Sequence, residues 1–118
     1  MGLLEELRAL GVNVDEGLKR LNKNEKLYIR LLGSFTKTIA EHYVASDFDV
    51  TDYEEIKEKA HAIKGTAGNL SITPLFKAYA DSMHLFRDGK PEEAREVLIK
   101  VIPIQNEILA CIEKYREV

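Results

Sequence analysis

Apolar residues recur at intervals of three and four along most of this chain, which places them on one face of an α-helix. The clearest example runs from about 25 to 45, with apolar positions at Tyr28, Leu31, Leu32, Phe35, Ile39 and Tyr43. No segment shows the sustained alternation of apolar and polar residues that a half-buried β-strand needs. The pattern therefore predicts an all-α fold. We expect the core to include the aromatic residues at helical spacing, which are Tyr28, Phe35, Tyr43, Phe76 and Tyr79.

Residues typical of helix ends divide the first half of the pattern into three pieces. A short piece covers about 3 to 10 and stops at Gly11. A second short piece has Asp15 as its N-cap and ends near Asn22. The long piece follows, and its pattern breaks at 46 to 50. We expect the two short pieces to form a helical arm that covers one end of the fold.

Three more helices are predicted in the second half. The first begins with a capping box of Thr51 and Glu54 and runs to about 70. The next has Thr73 as its N-cap, and the last begins at Pro91 and runs to about 115. Pro103 inside the last helix should kink it.

Four long amphipathic helices joined by short loops are typical of an antiparallel bundle. We therefore predict a single domain over residues 1–118. Its architecture would be an up-down-up-down four-helix bundle with an extra N-terminal helical arm.

Composition and charge narrow the classes of function. Hydrophobic residues make up 45% of the 118 positions and charged residues 31%, as in a soluble globular domain. The net charge is −3 and the basic residues are dispersed, which argues against a nucleic-acid partner. A single cysteine, Cys111, excludes an internal disulfide. No apolar run reaches the length of a membrane span and the first residues lack a basic secretory signal. We therefore expect a cytoplasmic protein or a domain of a larger cytoplasmic chain.

The predicted helix at 51 to 70 carries a histidine outside its apolar stripe. At about 100° per residue, that stripe contains Ile56, Ala60, Ile63, Ala67 and Leu70. His61 lies more than about 90° from the centre of the stripe, as do Gly65 and Gly68, and Lys64 flanks them. His61 should therefore be exposed near the middle of a long helix.

The neighbours of His61 favour phosphoryl transfer. Gly65 and Gly68 each cost roughly 1 kcal/mol in a helix relative to Ala, but their missing side chains would let a large partner approach the imidazole. Lys64 would place a positive charge beside it. An ordinary imidazole is partly neutral, and then nucleophilic, at cellular pH. No acidic cluster accompanies these residues, so the phosphoryl donor would have to bring its own Mg²⁺.

This stretch resembles the histidine-containing phosphotransfer (HPt) domains of bacterial two-component phosphorelays. The residues that carry the resemblance are His61-Ala62-Ile63-Lys64-Gly65-Thr66-Ala67-Gly68-Asn69-Leu70. The family pattern is His, any residue, an aliphatic, Lys, Gly, small residues, a second Gly, a small polar residue and an aliphatic. A looser similarity to the opening of the family covers 14 to 18 and 24 to 28.

The resemblance implies a carrier protein without kinase activity of its own. His61 would accept a phosphoryl group from a receiver-domain aspartate and pass it to another receiver, and Lys64 would stabilise the phosphoryl charge. Gly65 and Gly68 would give a receiver room to dock, with Asn69 nearby. The implied partners are response-regulator receiver domains and a hybrid histidine kinase. The only cofactor implied is Mg²⁺ on the receiver, and the chain would be a monomer without a metal site.

The chain departs from the family at two places. The family often has Gly where Ser71 stands, and Leu-Glu on the following helix where Ser82-Met83 stand. The first departure lies at a helix junction. The second removes an acidic group from the helix that follows the histidine.

Two other classes of function remain open. The chain could be a bundle that docks on a receiver without chemistry. It could also be an enzyme that uses His61 as a general base, although an exposed helical histidine without an enclosed pocket argues against this.

Each candidate residue also has a structural interpretation. Gly65 and Gly68 could serve close helix packing, and Asn69 could simply belong to the helix end. We expect His42 to be half-buried in a packing role and His84 to lie near solvent. The spacing of these two residues and His61 gives no support for a three-histidine metal site.

Overall fold

A computed structural model describes residues 2–44 and 48–116 of the protein. All regular secondary structure within those residues is helical, as the sequence predicts. The helices are α1 (Leu3–Ala9), α2 (Val14–Arg20), α3 (Glu25–Glu41), α4 (Glu54–Asn69), α5 (Thr73–Arg87) and α6 (Pro91–Arg116).

Helix α5 lies between α4 and α6 and packs extensively against both. Helix α3 contacts α4 and α6, and the short α1 contacts α6. The largest side chains buried between these helices include Tyr28, Leu32, Phe35, Ile63, Leu75, Tyr79, Phe86, Leu98 and Ile108. Among the described residues, no helix is both long and apolar enough to cross a membrane.

Two of the five aromatic residues predicted for the core lie at the surface instead. Tyr28, Phe35 and Tyr79 are fully buried, whereas Tyr43 is 50% exposed and Phe76 is 40% exposed. Tyr43 leaves the core because α3 ends at Glu41, so the helical spacing does not extend to it. The predicted end of this helix at 45 is therefore too late, and residue 45 itself lies outside the described residues.

Helix starts also differ from the prediction in detail. Asp15 is not the N-cap of α2, because the side chain of Asn13 accepts a hydrogen bond from the amide of Glu16 at 3.2 Å. Thr51 does not cap α4: its amide and hydroxyl both donate to the carboxylate of Asp49, at 2.8 and 2.7 Å. These contacts hold Thr51 in a turn that precedes the helix.

The remaining helix boundaries are close to the predicted ones. Thr73 is the first residue of α5 rather than its N-cap, which is Ile72. Gly89 follows the end of α5 with a φ of +71°, a conformation that suits glycine. Pro103 lies inside α6, as predicted.

Gly17 allows α2 to pack closely on the core. It is buried, and a Cβ there would lie 2.6 Å from Cε1 of Tyr28 and 2.9 Å from the carbonyl oxygen of Leu70. The Tyr28 hydroxyl donates to that same oxygen at 2.8 Å. Burial raises the pKa of Tyr28 to about 12, so the phenol stays protonated and keeps this hydrogen bond.

Replacing Gly17 by Ala is expected to lower the free energy of unfolding by about 2 kcal/mol, because neither the buried ring nor the carbonyl can move away freely. Urea unfolding followed by circular dichroism would measure it. Gly65→Ala is the matched control, since a Cβ at that helical glycine meets nothing within 4 Å. Equal midpoints for Gly17→Ala and the unmodified protein would contradict the prediction.

Candidate functional site

The apolar stripe of α4 faces the core and leaves His61 on the outside. Ala60, Ile63 and Ala67 are buried at intervals of three and four, and Leu70 follows them into the core. His61 is exposed near the middle of the sixteen-residue helix. This placement agrees with the prediction from helical periodicity.

His61 borders a shallow depression between α4 and α5. The depression has a volume of about 390 Å³ and is lined by Lys57, Glu58, His61, Met83 and Arg87. Met83 and Arg87 are four residues apart on α5 and so lie on the same face of that helix. Because both line the depression with residues of α4, this face is the one next to α4. The packing of two helices thus adds residues from α5 to a site that the sequence predicts from α4 alone.

The cations around His61 are not equivalent. Lys57 pairs with Glu54 at 3.2 Å and Lys59 pairs with Glu55 at 3.3 Å, both at the surface. Lys64 and Arg87 form no ion pair with any residue that the structure describes. Their charges are therefore available to an incoming anion.

Lys64 and Gly65 border a second depression of about 570 Å³, next to the first along α4. Its walls come from α2, the last turns of α4 and the start of α5, and they include Arg20 and Phe76. His61 does not line this second depression, so the predicted site residues are divided between two neighbouring hollows.

The two glycines that the sequence groups together have different surroundings. Gly65 is exposed, and a Cβ there would meet nothing within 4 Å. Gly68 is half-buried, and a Cβ would lie 2.9 Å from Cδ1 of Phe76. Gly65 therefore leaves open space beside the histidine, while Gly68 allows the Phe76 ring to pack on α4.

The end of α4 has an unusual backbone conformation. Asn69 is exposed and is the last residue of the helix. Ser71 is buried and has a φ of +55°, in the left-handed region that favours glycine. Its hydroxyl donates to the carboxylate of Glu16 at 2.8 Å, which gives this serine a role that a glycine could not fill.

The other two histidines lie where the sequence predicts. His42 is half-buried at the end of α3, with Nδ1 3.0 Å from the carbonyl oxygen of Thr38, and His84 is exposed on α5. Within residues 2–44 and 48–116, no group of three His, Cys, Asp or Glu side chains is placed to hold a metal ion.

Sequence reasoning missed Arg87, Arg20 and Glu16, which reach the two depressions from other helices, and it also missed Lys57 and Glu58 on α4 itself. The one sequence signal for a contribution from α5 was Met83, which stands where the family that the chain resembles often has an acidic residue. Arg87 follows it by one helical turn and so belongs to the same face.

The arrangement as a whole can present an imidazole to a large partner. The histidine is exposed, and the residue one turn beyond it, Gly65, has no side chain. Arg87 lines the same depression as His61, and Lys64 lines the neighbouring one. Comparisons of the chain with models of protein families, with curated proteins and with solved structures found no match.

Proposed function

We propose that this chain is a phosphorelay intermediate of a bacterial two-component system. In this function, His61 accepts a phosphoryl group from a receiver-domain aspartate and passes it to another receiver. The observation that carries the proposal is the open space over Gly65, one turn beyond an exposed histidine. A helix that needed only stability would have Ala, Glu or Lys there.

The chemistry needs only a neutral imidazole and help with charge. An imidazole nitrogen attacks phosphorus, the bond between phosphorus and the aspartate oxygen breaks, and the carboxylate leaves with the electron pair. Lys64 and Arg87 offset the negative charge of the phosphoryl group during transfer. The receiver supplies Mg²⁺, and the reverse reaction on a second receiver frees His61 again. The chain is a carrier without kinase activity of its own.

The fold proposed for this function is an antiparallel four-helix bundle of α3 to α6, with α1 and α2 as an N-terminal arm. The helix contacts support it, because α3 touches α4, α4 touches α5, α5 touches α6, and α6 touches α3. Such a ring of sequential neighbours is typical of up-down-up-down bundles. We propose further that the domain acts as a cytoplasmic monomer with a hybrid histidine kinase and response regulators as partners.

The test is phosphoryl transfer from a panel of Mg²⁺-loaded, phosphorylated receiver domains. We expect at least one receiver to label the chain with a group that is acid-labile and alkali-stable, as phosphohistidine is. Phosphoramidate should label the same position without a receiver. A chain that takes label from neither source would contradict the proposal, and receiver binding without label would favour a docking module instead.

Arg87→Ala is expected to slow labelling by a phosphorylated receiver about tenfold, because a cation that offsets phosphoryl charge is lost from the depression beside His61. Lys90→Ala removes the same charge from an exposed position after α5 and serves as the control. Initial labelling rates at saturating receiver would show the difference. Equal rates for the two variants would contradict a role for Arg87.

A further inference from the structure

Helix α2 is joined to the end of α4 by a charged network of three side chains. The guanidinium of Arg20 donates through Nη1 to the carbonyl oxygen of Gly68 and through Nη2 to Oε1 of Glu16 at 2.9 Å. The same Glu16 oxygen accepts from the buried Ser71 hydroxyl at 2.8 Å. This Arg20–Glu16–Ser71 network joins residues that are as much as 55 positions apart in the sequence, and it links α2 to the end of α4.

The network satisfies groups that a helix end leaves without partners. The last carbonyl groups of an α-helix accept no hydrogen bond from an amide of the same helix, and they carry a partial negative charge. The Gly68 oxygen accepts from Arg20 and, at 3.2 Å, from the amide of Ser71. The Ser71 oxygen accepts from the amide of Asn13 at 2.9 Å, so backbone and side chains of the α2 region both hold this turn.

The turn held in this way forms one wall of the depression that follows His61 along α4. Arg20, Lys64, Gly65 and Gly68 all border the depression of about 570 Å³. Arg20 does not line the depression around His61. It can therefore affect how a partner docks without touching the reacting nitrogen.

We infer that Arg20 is a positioning residue, which holds the last turn of α4 through Glu16 and Ser71 in the geometry that a docking receiver recognises. The link to docking rests on the proposed function, whereas the effect on the turn does not. Arg20 is half exposed, so we expect a moderate effect, of about fivefold in each measurement below.

Amide hydrogen exchange tests the effect on the turn. In Arg20→Ala, the amides between 66 and 72 should exchange about fivefold faster, while those in the first half of α4 should not change. Arg20→Lys keeps a charge beside the Gly68 oxygen and should recover most of the protection. Arg30→Ala is the matched control, since Arg30 is exposed on α3 and does not line this depression. Unchanged exchange in Arg20→Ala would overturn the inference.

Transfer kinetics test the link to docking. Arg20→Ala should raise the half-saturating receiver concentration about fivefold and leave the maximal rate and phosphoramidate labelling unchanged. An unchanged half-saturating concentration, or a lower maximal rate, would overturn a docking role. Absence of label on the unmodified chain would count against the proposed function alone, because the exchange result stands without it.

Discussion

His61→Gln is expected to abolish phosphoryl labelling, with a loss of at least about 1000-fold relative to the unmodified chain. Glutamine keeps a polar side chain of similar length, but its amide nitrogen is not nucleophilic and cannot form the bond to phosphorus. The exposed position of His61 means that the substitution leaves the core intact. Label from a receiver should be lost, and so should phosphoramidate label at position 61.

His84→Gln is the matched control, because His84 is also exposed and lies on the neighbouring helix α5. It should be labelled at the rate of the unmodified chain. Receiver binding, measured by calorimetry, should persist in His61→Gln, since the open space at Gly65 and the flanking cations remain. Receiver-derived label that survives in His61→Gln would identify a different acceptor and contradict the assignment of the site.

His61, Lys64 and Gly65 could be predicted as site residues because a single helix contains all three. A periodicity of 3.6 residues relates each side chain to the core, so the exposure of His61 and Gly65 follows from Ile63 and Ala67 alone. Arg87 and Met83 could not be placed this way. Their approach to His61 depends on how α5 packs against α4, which no local pattern encodes.

The same limit explains the error at Phe76, whereas the error at Thr51 has a local cause. Phe76 has the spacing of a core residue, but its ring packs on Gly68 and remains 40% exposed. Gly68 resembles Gly65 in sequence, but it differs through contacts with other helices, because Phe76 of α5 packs on it and Arg20 of α2 donates to its carbonyl oxygen. Thr51 fits a capping box, yet a local hydrogen bond to Asp49 competes for it and the helix starts later.

Gly65→Gln is expected to separate stability from function. Beyond the neighbouring residues and backbone of its own helix, nothing lies within 4 Å of a Cβ at the exposed Gly65, so a longer side chain can extend into solvent in the free protein. Removing a glycine from a helix interior should raise the free energy of unfolding by about 0.5 to 1 kcal/mol. The same side chain would occupy the space that a receiver needs, and transfer from a receiver should fall on the order of 100-fold.

Three measurements keep the interpretation of Gly65→Gln unambiguous. Phosphoramidate labelling of His61 should stay near that of the unmodified chain, because a small donor does not need the space over Gly65. Ala40→Gln adds similar polar bulk at an exposed position of α3 and should leave receiver transfer unchanged. Urea unfolding should show the gain in stability. If Gly65→Gln accepted phosphoryl groups from a receiver at the normal rate, the glycine would not serve docking, and its cost in helix stability would have no explanation in this site.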